Sequence, residues 1–257
     1  MPGSVFVPSG AADPESGTGA RQGHPALADP RSGLSLSLLG PFRLEAGGRE
    51  VRLPIGAQRV VALLALQGRM SRSRLAGTLW QHSTEDRARA CLRTSLWRAN
   101  QAVPGVVAVT ATTAELSALL TVDVQHLVRE ARDAWRDGPS PAVQVRCVPG
   151  GARELLPDWD DEWLAADRER MRQLQLHLQE ALAEQLTSEG RYGLALEVAL
   201  TTLRLDATRE SAHRGVIRVH LAEGNISEAR RAYATCQRVL REELGVAPTP
   251  VTARMLD

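Results

Sequence analysis

A helix written over Gln58 to Gln67 is apolar almost all round, so the segments that flank it in sequence must cover it on several sides. Its unbroken apolar run, Val60 to Leu66, is far short of the roughly 20 residues that cross a bilayer. The helix therefore belongs in the middle of a globular domain, and no membrane is expected as a partner. The amino terminus has no basic stretch followed by a long apolar core, so a secretory signal is not expected either.

Before this helix the chain reads as strands. Leu34, Leu36 and Leu38 alternate with Ser35 and Ser37, the period-two pattern of a half-buried strand. Phe42 and Leu44 continue it, and Gly47-Gly48 turns the chain toward Val51 and Leu53. Pro54 and Gly56 break the pattern, and Gly68 ends the apolar helix. Ser71 is placed to cap a second helix, Arg72 to Trp80, with Leu75 and Leu79 inward. A third helix runs from about Thr84 to Ala102 and stops at Pro104-Gly105. Val106 to Thr110 and Glu115 to Val122 then read as a hairpin around Ala111-Thr112-Thr113-Ala114. Sheet, three helices and hairpin is the order of a winged helix-turn-helix, with the hairpin as the wing.

This α+β unit is expected over 33–122, after a Gly-, Pro-, Ser- and Ala-rich stretch at 1–32 that reads as a disordered tail. The region 123–257 is expected to be all-α. Asp123 to Trp135 is amphipathic, 142–160 reads as irregular, and four helices follow at about 161–188, 192–205, 208–222 and 226–244. Glu189-Gly190 and Glu223-Gly224 lie 34 residues apart, each followed by an alanine (Ala195, Ala229) just inside the next helix. That period, with glycine in the turn between helices, is the mark of tetratricopeptide-like repeats, which stack into a surface for a partner.

Charge divides along the same line. From Arg43 to Asn100 eleven arginines face four acids, and from Gln101 to Asp257 eighteen face twenty-three. A local charge of +7 within a net charge of +1 points the first domain at a polyanion. At about 100° per residue, Ala88, Leu92, Leu96 and Ala99 share one face of the third helix. Ala90, Arg93, Thr94 and Trp97 lie opposite, with Arg87, Arg89 and Arg98 on the flanks. A helix that enters the major groove needs this division, because its apolar side rests on the domain while arginine forks reach guanine edges or phosphates and threonine contacts bases. Arg72 and Arg74, at the start of the second helix, are candidates for holding a phosphate. Trp97 is expected to pack on the second domain. The wing is unusual, because no arginine occurs between Asn100 and Arg129.

Enzyme chemistry finds no foothold. Cys91, Cys147 and Cys236 make neither a disulfide framework nor a metal site; they read as buried structural thiols of a reduced cytoplasm. His82, His126, His177, His213 and His220 lack metal spacing, and the His213/His220 pair reads as packing. Asp158, Asp160, Asp161 and Glu162 read as the acidic start of a long helix. No cofactor is expected, and a phosphate-binding Gly-x-x-x-x-Gly-Lys loop is excluded by the absence of lysine.

Several stretches together resemble the actinobacterial antibiotic regulatory proteins (SARP). They are Leu38-Leu39-Gly40-Pro41-Phe42, Gln58-Arg59, Ser71 to Trp80, and Arg89-Ala90-Cys91-Leu92-Arg93-Thr94-Ser95-Leu96-Trp97-Arg98. The second half is similar to their bacterial transcriptional activator domain at Leu155-Leu156-Pro157-Asp158-Trp159 with Trp163, Arg168-Glu169-Arg170, Arg209 to His213, and Leu240 to Gly245 with Pro248-Thr249-Pro250. The resemblance spans about 34–252. It implies an OmpR-type winged helix that binds direct repeats in double-stranded promoter DNA, recruits RNA polymerase, and switches on secondary-metabolite genes. On this reading the helical domain serves polymerase contact and homodimer formation. Family members commonly carry Gly-Tyr in the wing, where this chain reads Thr112-Thr113-Ala114-Glu115. The rival expectation is a tetratricopeptide-like interaction scaffold whose winged domain no longer binds DNA. Helical repeats can also hold small ligands, but nothing in the sequence marks a pocket.

Overall fold

A computed structural model describes residues 33–139 and 153–257. The expected tail at 1–32 and much of the expected irregular stretch, with Cys147, lie outside the described residues. The chain opens with strands β1 (Ser35–Ser37), β2 (Arg43–Ala46) and β3 (Arg49–Glu50), followed by helix α1 (Ile55–Gln67) and the short β4 (Met70–Ser71). Helices α2 (Arg72–Leu79) and α3 (Glu85–Ala102) precede strands β5 (Val107–Val109), β6 (Thr113–Leu116) and β7 (Thr121–Val122). The rest is helical: α4 (Asp123–Asp137), a 3-10 turn (Glu162–Leu164), α5 (Ala165–Ser188), α6 (Tyr192–Leu205), α7 (Glu210–Glu223), α8 (Ile226–Leu244) and the short α9 (Pro250–Ala253). This is the expected architecture, a winged helix-turn-helix followed by a tetratricopeptide-like helical domain.

Helix α1 is the centre of the first half. Ala57, Val60, Val61, Ala62, Leu63, Leu64 and Ala65 are all buried, as an all-round apolar helix requires. Helices α2, α3 and α4 and strand β6 pack against it.

The hairpin differs from its sequence reading. Its second strand stops at Leu116, and Leu120 turns back on Ser117 with an N–H···O bond of 3.1 Å. Thr121–Val122 then leaves the wing and pairs parallel with β1 in the other sheet. The reason is the residue that follows: the Asp123 carboxylate accepts the backbone N–H groups of Leu38 (2.9 Å) and Leu39 (2.9 Å), drawing this segment to the end of β1. Burial pushes the Asp123 carboxyl up, although these backbone donors pull the other way. β7 runs straight into α4 with no polar linker, and α4 packs on both α1 and α5. The two halves accordingly share one continuous core.

A second seam closes at the same place. Gly40 donates its N–H to the Glu154 carbonyl (2.7 Å), and Leu156 donates to the Leu38 carbonyl (2.9 Å). Leu155 and Leu156 are buried, and Leu156 holds a left-handed backbone with φ 46°. Arg168 on α5 donates to the carbonyls of Leu155 (3.0 Å) and Leu156 (2.5 Å) and also to that of Trp159. Phe42 stacks on Trp159 at 6.0 Å, and Arg59 pairs with Asp161 at 3.1 Å. The acidic cluster lies ahead of the long helix rather than at its start: α5 begins at Ala165, Glu162 opens the 3-10 turn before it, and Asp161 is turned back to the first half by Arg59.

The 34-residue repeat is visible bond by bond. Arg191 donates to Leu186 and Gly190 to Thr187; in the next copy Asn225 donates to His220 and Gly224 to Leu221. Gly190 and Gly224 have φ 73° and 84°, which is why glycine stands at both turns. Ala195 and Ala229 are completely buried where successive helices meet. His213 is buried with a ring nitrogen 2.9 Å from the Ala207 carbonyl, so it serves the packing. Cys236 is buried and its thiol is pushed up to about 11, whereas Cys91 is only half-buried.

Replacing Arg168 by alanine leaves two buried carbonyls short of a charged donor and frees the strained Leu156. Unfolding free energy in urea should fall by about 2–4 kcal/mol. An unchanged midpoint would show that the seam stands without the guanidinium.

Acid should unfold the helical domain in a defined window. Hydrogen bonds from Arg172 and Gln173 lower Glu169 from its ordinary 4.5 to about 2. Burial pushes the Glu180 and Asp206 carboxyls up, but Arg209 with Ser211, and Arg172 with Thr208, outweigh it and hold both below their usual values. Folded values below unfolded ones mean stability that is complete above the unfolded range and lost as pH falls through the folded values. Asp123, shifted upward, has the opposite sign and offsets part of this. Melting temperature followed by circular dichroism should drop steeply between pH 4.5 and 2, with a shallower drop in Glu180→Gln.

Candidate nucleic-acid interface

Helix α3 is seated by its own sequence. Glu85 and Asp86 occupy its first turn, where acids suit the helix dipole, and Ala88, Leu92, Ser95, Leu96 and Ala99 are buried. Contact with α1 is close: a Cβ on Gly56 would come within 2.8 Å of the Ser95 hydroxyl, so a glycine in the first turn of α1 lets the two helices meet. Ser71 caps α2 as expected, accepting the Arg74 N–H at 3.2 Å.

The wing is fixed at both ends. β4 pairs with β6 through Met70↔Ala114 and Ser71↔Thr113, and the Arg72 N–H donates to the Thr112 carbonyl at 2.8 Å. At the other end, the Asn100 side chain donates to the Val107 carbonyl (2.9 Å) and accepts the Val107 N–H (3.0 Å). The carboxy-terminal turn of α3 is thereby tied to β5. The hairpin turn is tighter than expected, since Thr113 already belongs to β6 and bonds to Thr110 through backbone and side chain.

Arg87, Arg93, Thr94 and Arg98 stand exposed, away from the buried face, and none of the three guanidiniums has an ion-pair partner among the described residues. Arg89 is committed differently, forming an ion pair with Glu85 one turn back. Thr94 donates its hydroxyl to the Ala90 carbonyl at 3.1 Å, so that proton stays within the helix. Arg72 lies beside the wing turn, its guanidinium 3.5 Å from the Ala111 carbonyl. Arg74 is not gathered with the others; it reaches Gln67 at 3.4 Å and lines an open groove shared with Gln81, Glu162 and Trp163.

Trp97 corrects an expectation. It is 60 % exposed on α3 and does not pack into the helical domain. The placement of α5 explains this, because the helical domain meets the winged half through α4, α1, the end of β1 and the end of α2, away from the outward face of α3.

The charge division survives folding. Among the eleven arginines from Arg43 to Arg98, only Arg59 and Arg89 form ion pairs within the described residues. In the helical domain Arg168, Arg172, Arg204, Arg209, Arg214, Arg218, Arg231 and Arg238 all face acids. The described residues contain no cluster of His, Cys, Asp or Glu suited to a metal ion, and no helix long and apolar enough to cross a membrane. Sequence reasoning missed Asn100, Gly56 and Asp123. An asparagine seven residues before a valine carries no pattern, and Gly56 read as a break ahead of the helix, whereas it lies inside the first turn of α1.

A seated helix with an unpaired cationic face, a short hairpin beside it and stacked helix pairs behind define a winged-helix regulator with a helical-repeat domain. The family model for the bacterial transcriptional activator domain matches residues 106–257. Regulatory protein AfsR of Streptomyces coelicolor is 28 % identical over 250 residues, covering 90 % of this chain and 24 % of AfsR. Regulatory protein AfsR of Streptomyces griseus is 30 % identical over 254 residues, with the same 90 % and 24 % coverage. The chain thus spans about a quarter of the length of the curated relatives it matches. The solved structure of Mycobacterium tuberculosis EmbR in complex with a low affinity phosphopeptide has the same fold, with a TM-score of 0.72 and 19 % identity over 87 % of this chain and 64 % of that one. The chain belongs to the bacterial transcriptional activator domain family and is a SARP-type transcriptional regulator.

Asn100→Ala removes both bonds to Val107 and should cost about 1–3 kcal/mol of unfolding free energy. Hydrogen exchange at the Val107 amide should accelerate more than at α1 amides. Equal protection in the variant would show that β5 is held by its strand pairing alone.

Proposed function

We propose that this regulator is a sequence-specific activator that binds double-stranded promoter DNA with α3 in the major groove. The observation that carries the reading is the row of unpaired guanidiniums at Arg87, Arg93 and Arg98, borne on a helix whose other face is buried against α1 and α2. Unpaired arginine on a rigid helix offers two parallel donors to guanine edges or phosphates. Arg89 joins them by leaving Glu85, which costs little because that pair is solvent-exposed. Arg72 beside the wing contacts the phosphate backbone, aided by the amino terminus of α2, and Arg74 adds to the cationic field there. The helical domain contacts RNA polymerase and pairs with a second copy. Secondary-metabolite genes are the proposed targets, on the SARP membership of the chain.

One observation favours a second reading, a protein-interaction scaffold whose winged domain has left DNA. The hairpin turn carries Ala111, Thr112 and Thr113 but no cation with which to hold a phosphate. Salt separates the two readings, because phosphate contacts release counterions and weaken steeply as salt rises.

Fluorescence anisotropy on promoter fragments of neighbouring genes, across a salt series, is the test. Fragment-selective, salt-sensitive binding is expected, and Arg93→Ala should lose about tenfold or more in affinity together with its base preference, the size of one good bidentate contact. A folded protein that ignores all fragments at low salt would establish the scaffold instead.

A further inference from the structure

Between Asp86 and Gln101, the centre of the outward face of α3 is apolar, not cationic. Opposite the buried line of Ala88, Leu92, Ser95 and Ala99 stand Ala90, Thr94 and Trp97, with Arg93 to one side and Arg87 and Arg98 to the other. The Thr94 hydroxyl is engaged by the Ala90 carbonyl at 3.1 Å, which leaves its methyl as the group free to meet a partner. Trp97 is 60 % exposed and is the one exposed aromatic side chain of the winged half among the described residues. Phosphate attraction accounts for the flanking guanidiniums but gives no reason to hold an indole between them in water.

We propose that this strip reads the 5-methyl groups of thymine, with the Ala90 and Thr94 methyls against one and the Trp97 indole over another. The proposal rests on the reading of α3 as the recognition helix and adds what that helix discriminates. In the major groove the thymine methyl is the apolar group that separates thymine from cytosine, and small apolar or aromatic side chains are its partners. The midpoint of Ala90 and Thr94 lies five residues from Trp97, a rise of about 7.5 Å along the helix, which matches about two base-pair steps. The two thymines therefore lie within one half-site. Arginine on both flanks keeps the strip centred by holding the two phosphate ridges or the neighbouring guanines. The apolar centre adds thymine discrimination to the base preference that Arg93 carries, and the remaining guanidiniums supply attraction and register.

The test uses the full chain and a duplex that it selects from a randomised pool. Each thymine is replaced singly by deoxyuridine, which removes only the methyl, and binding is read by anisotropy. Wild type should weaken about fourfold at each of two thymines about two steps apart, the effect of exposing one methyl-sized apolar group. Trp97→Ala should bind about tenfold more weakly and become indifferent to the swap at one of those thymines while keeping it at the other. Trp97→Phe should retain most of the discrimination, because it keeps an apolar ring. The exposed position makes both variants foldable, which circular dichroism checks. Wild-type indifference to every deoxyuridine swap, or full sensitivity retained in Trp97→Ala, overturns the thymine reading while leaving α3 as the recognition helix. Failure to select any duplex, or Arg93→Ala binding as wild type does, brings down the recognition-helix reading and the thymine assignment with it.

Discussion

Everything about how the two halves sit depends on the backbone groups just past the end of β1. A strand that ends inside a protein leaves polar groups that must find partners or cost several kcal/mol. Here the N–H groups of Leu38 and Leu39 are taken by the Asp123 carboxylate at 2.9 Å, and the Leu38 carbonyl and Gly40 N–H are taken by Leu156 and Glu154. One partner opens α4 and the other precedes α5, so satisfying a single strand end fixes both helices. Arg168 then completes the seam by filling the carbonyls that the left-handed Leu156 turns away from any sheet. The carboxylate that does the joining is itself made less acidic by the burial it creates. A shared core follows from this, because Leu38, Leu155, Leu156 and Leu164 can all be dry only when the halves are closed.

The parts of the fold that were legible in sequence are those governed by local chemistry. Alternating Leu34, Leu36 and Leu38, the all-round apolar run in α1, the Ser71 cap and the Gly190 and Gly224 turns each state their structure within a few residues. What escaped was set by partners far along the chain. Thr121–Val122 has the composition of a hairpin strand, and only Asp123, 85 residues from Leu38, moves it to the other sheet. The face of α3 was legible from its period, and its buried line is the expected one with Ser95 added. The fate of Trp97 was not, because helical period says which way a side chain points but not whether another domain stands there. The same limit applied to Arg89, where an exposed flank position gave no sign of the hold that Glu85 has on it.

The two halves use arginine for different ends. In the helical domain guanidiniums knit helices together: Arg172 joins α5 to Asp206, and Arg209 reaches back to Glu180 at 2.7 Å with Ser211 on the same carboxylate. Those pairs hold the carboxyls in their charged form, so the domain is built for neutral pH. In the winged half almost every guanidinium is left without an acid. Its stability comes from α1 and the leucines around it, which frees the surface charge to be spent on a partner. A helix with three unpaired arginines in an acid-paired setting would be ordinary surface. Here the contrast along one chain is what gives the face its meaning.

The same face also bounds what one copy can achieve. With Arg87, Arg93 and Arg98 on α3, Arg72 near the wing and a hairpin turn that carries no cation, the proposed interface neutralises only a handful of phosphates. Binding free energy from counterion release scales with that number, so a single head holds DNA weakly at physiological salt. On the proposed reading, affinity comes from two heads acting together, since a tethered second event gains from a high effective concentration only when geometry lets both engage. That requirement gives the β1 seam a functional weight. If the helical domains join two copies, the distance between two α3 helices is set by every contact from α3 to α1, through Asp123 and Arg168, to α5. A loose hinge would spread that distance and forfeit the gain, whereas a shared dry core holds it to one spacing of DNA repeats.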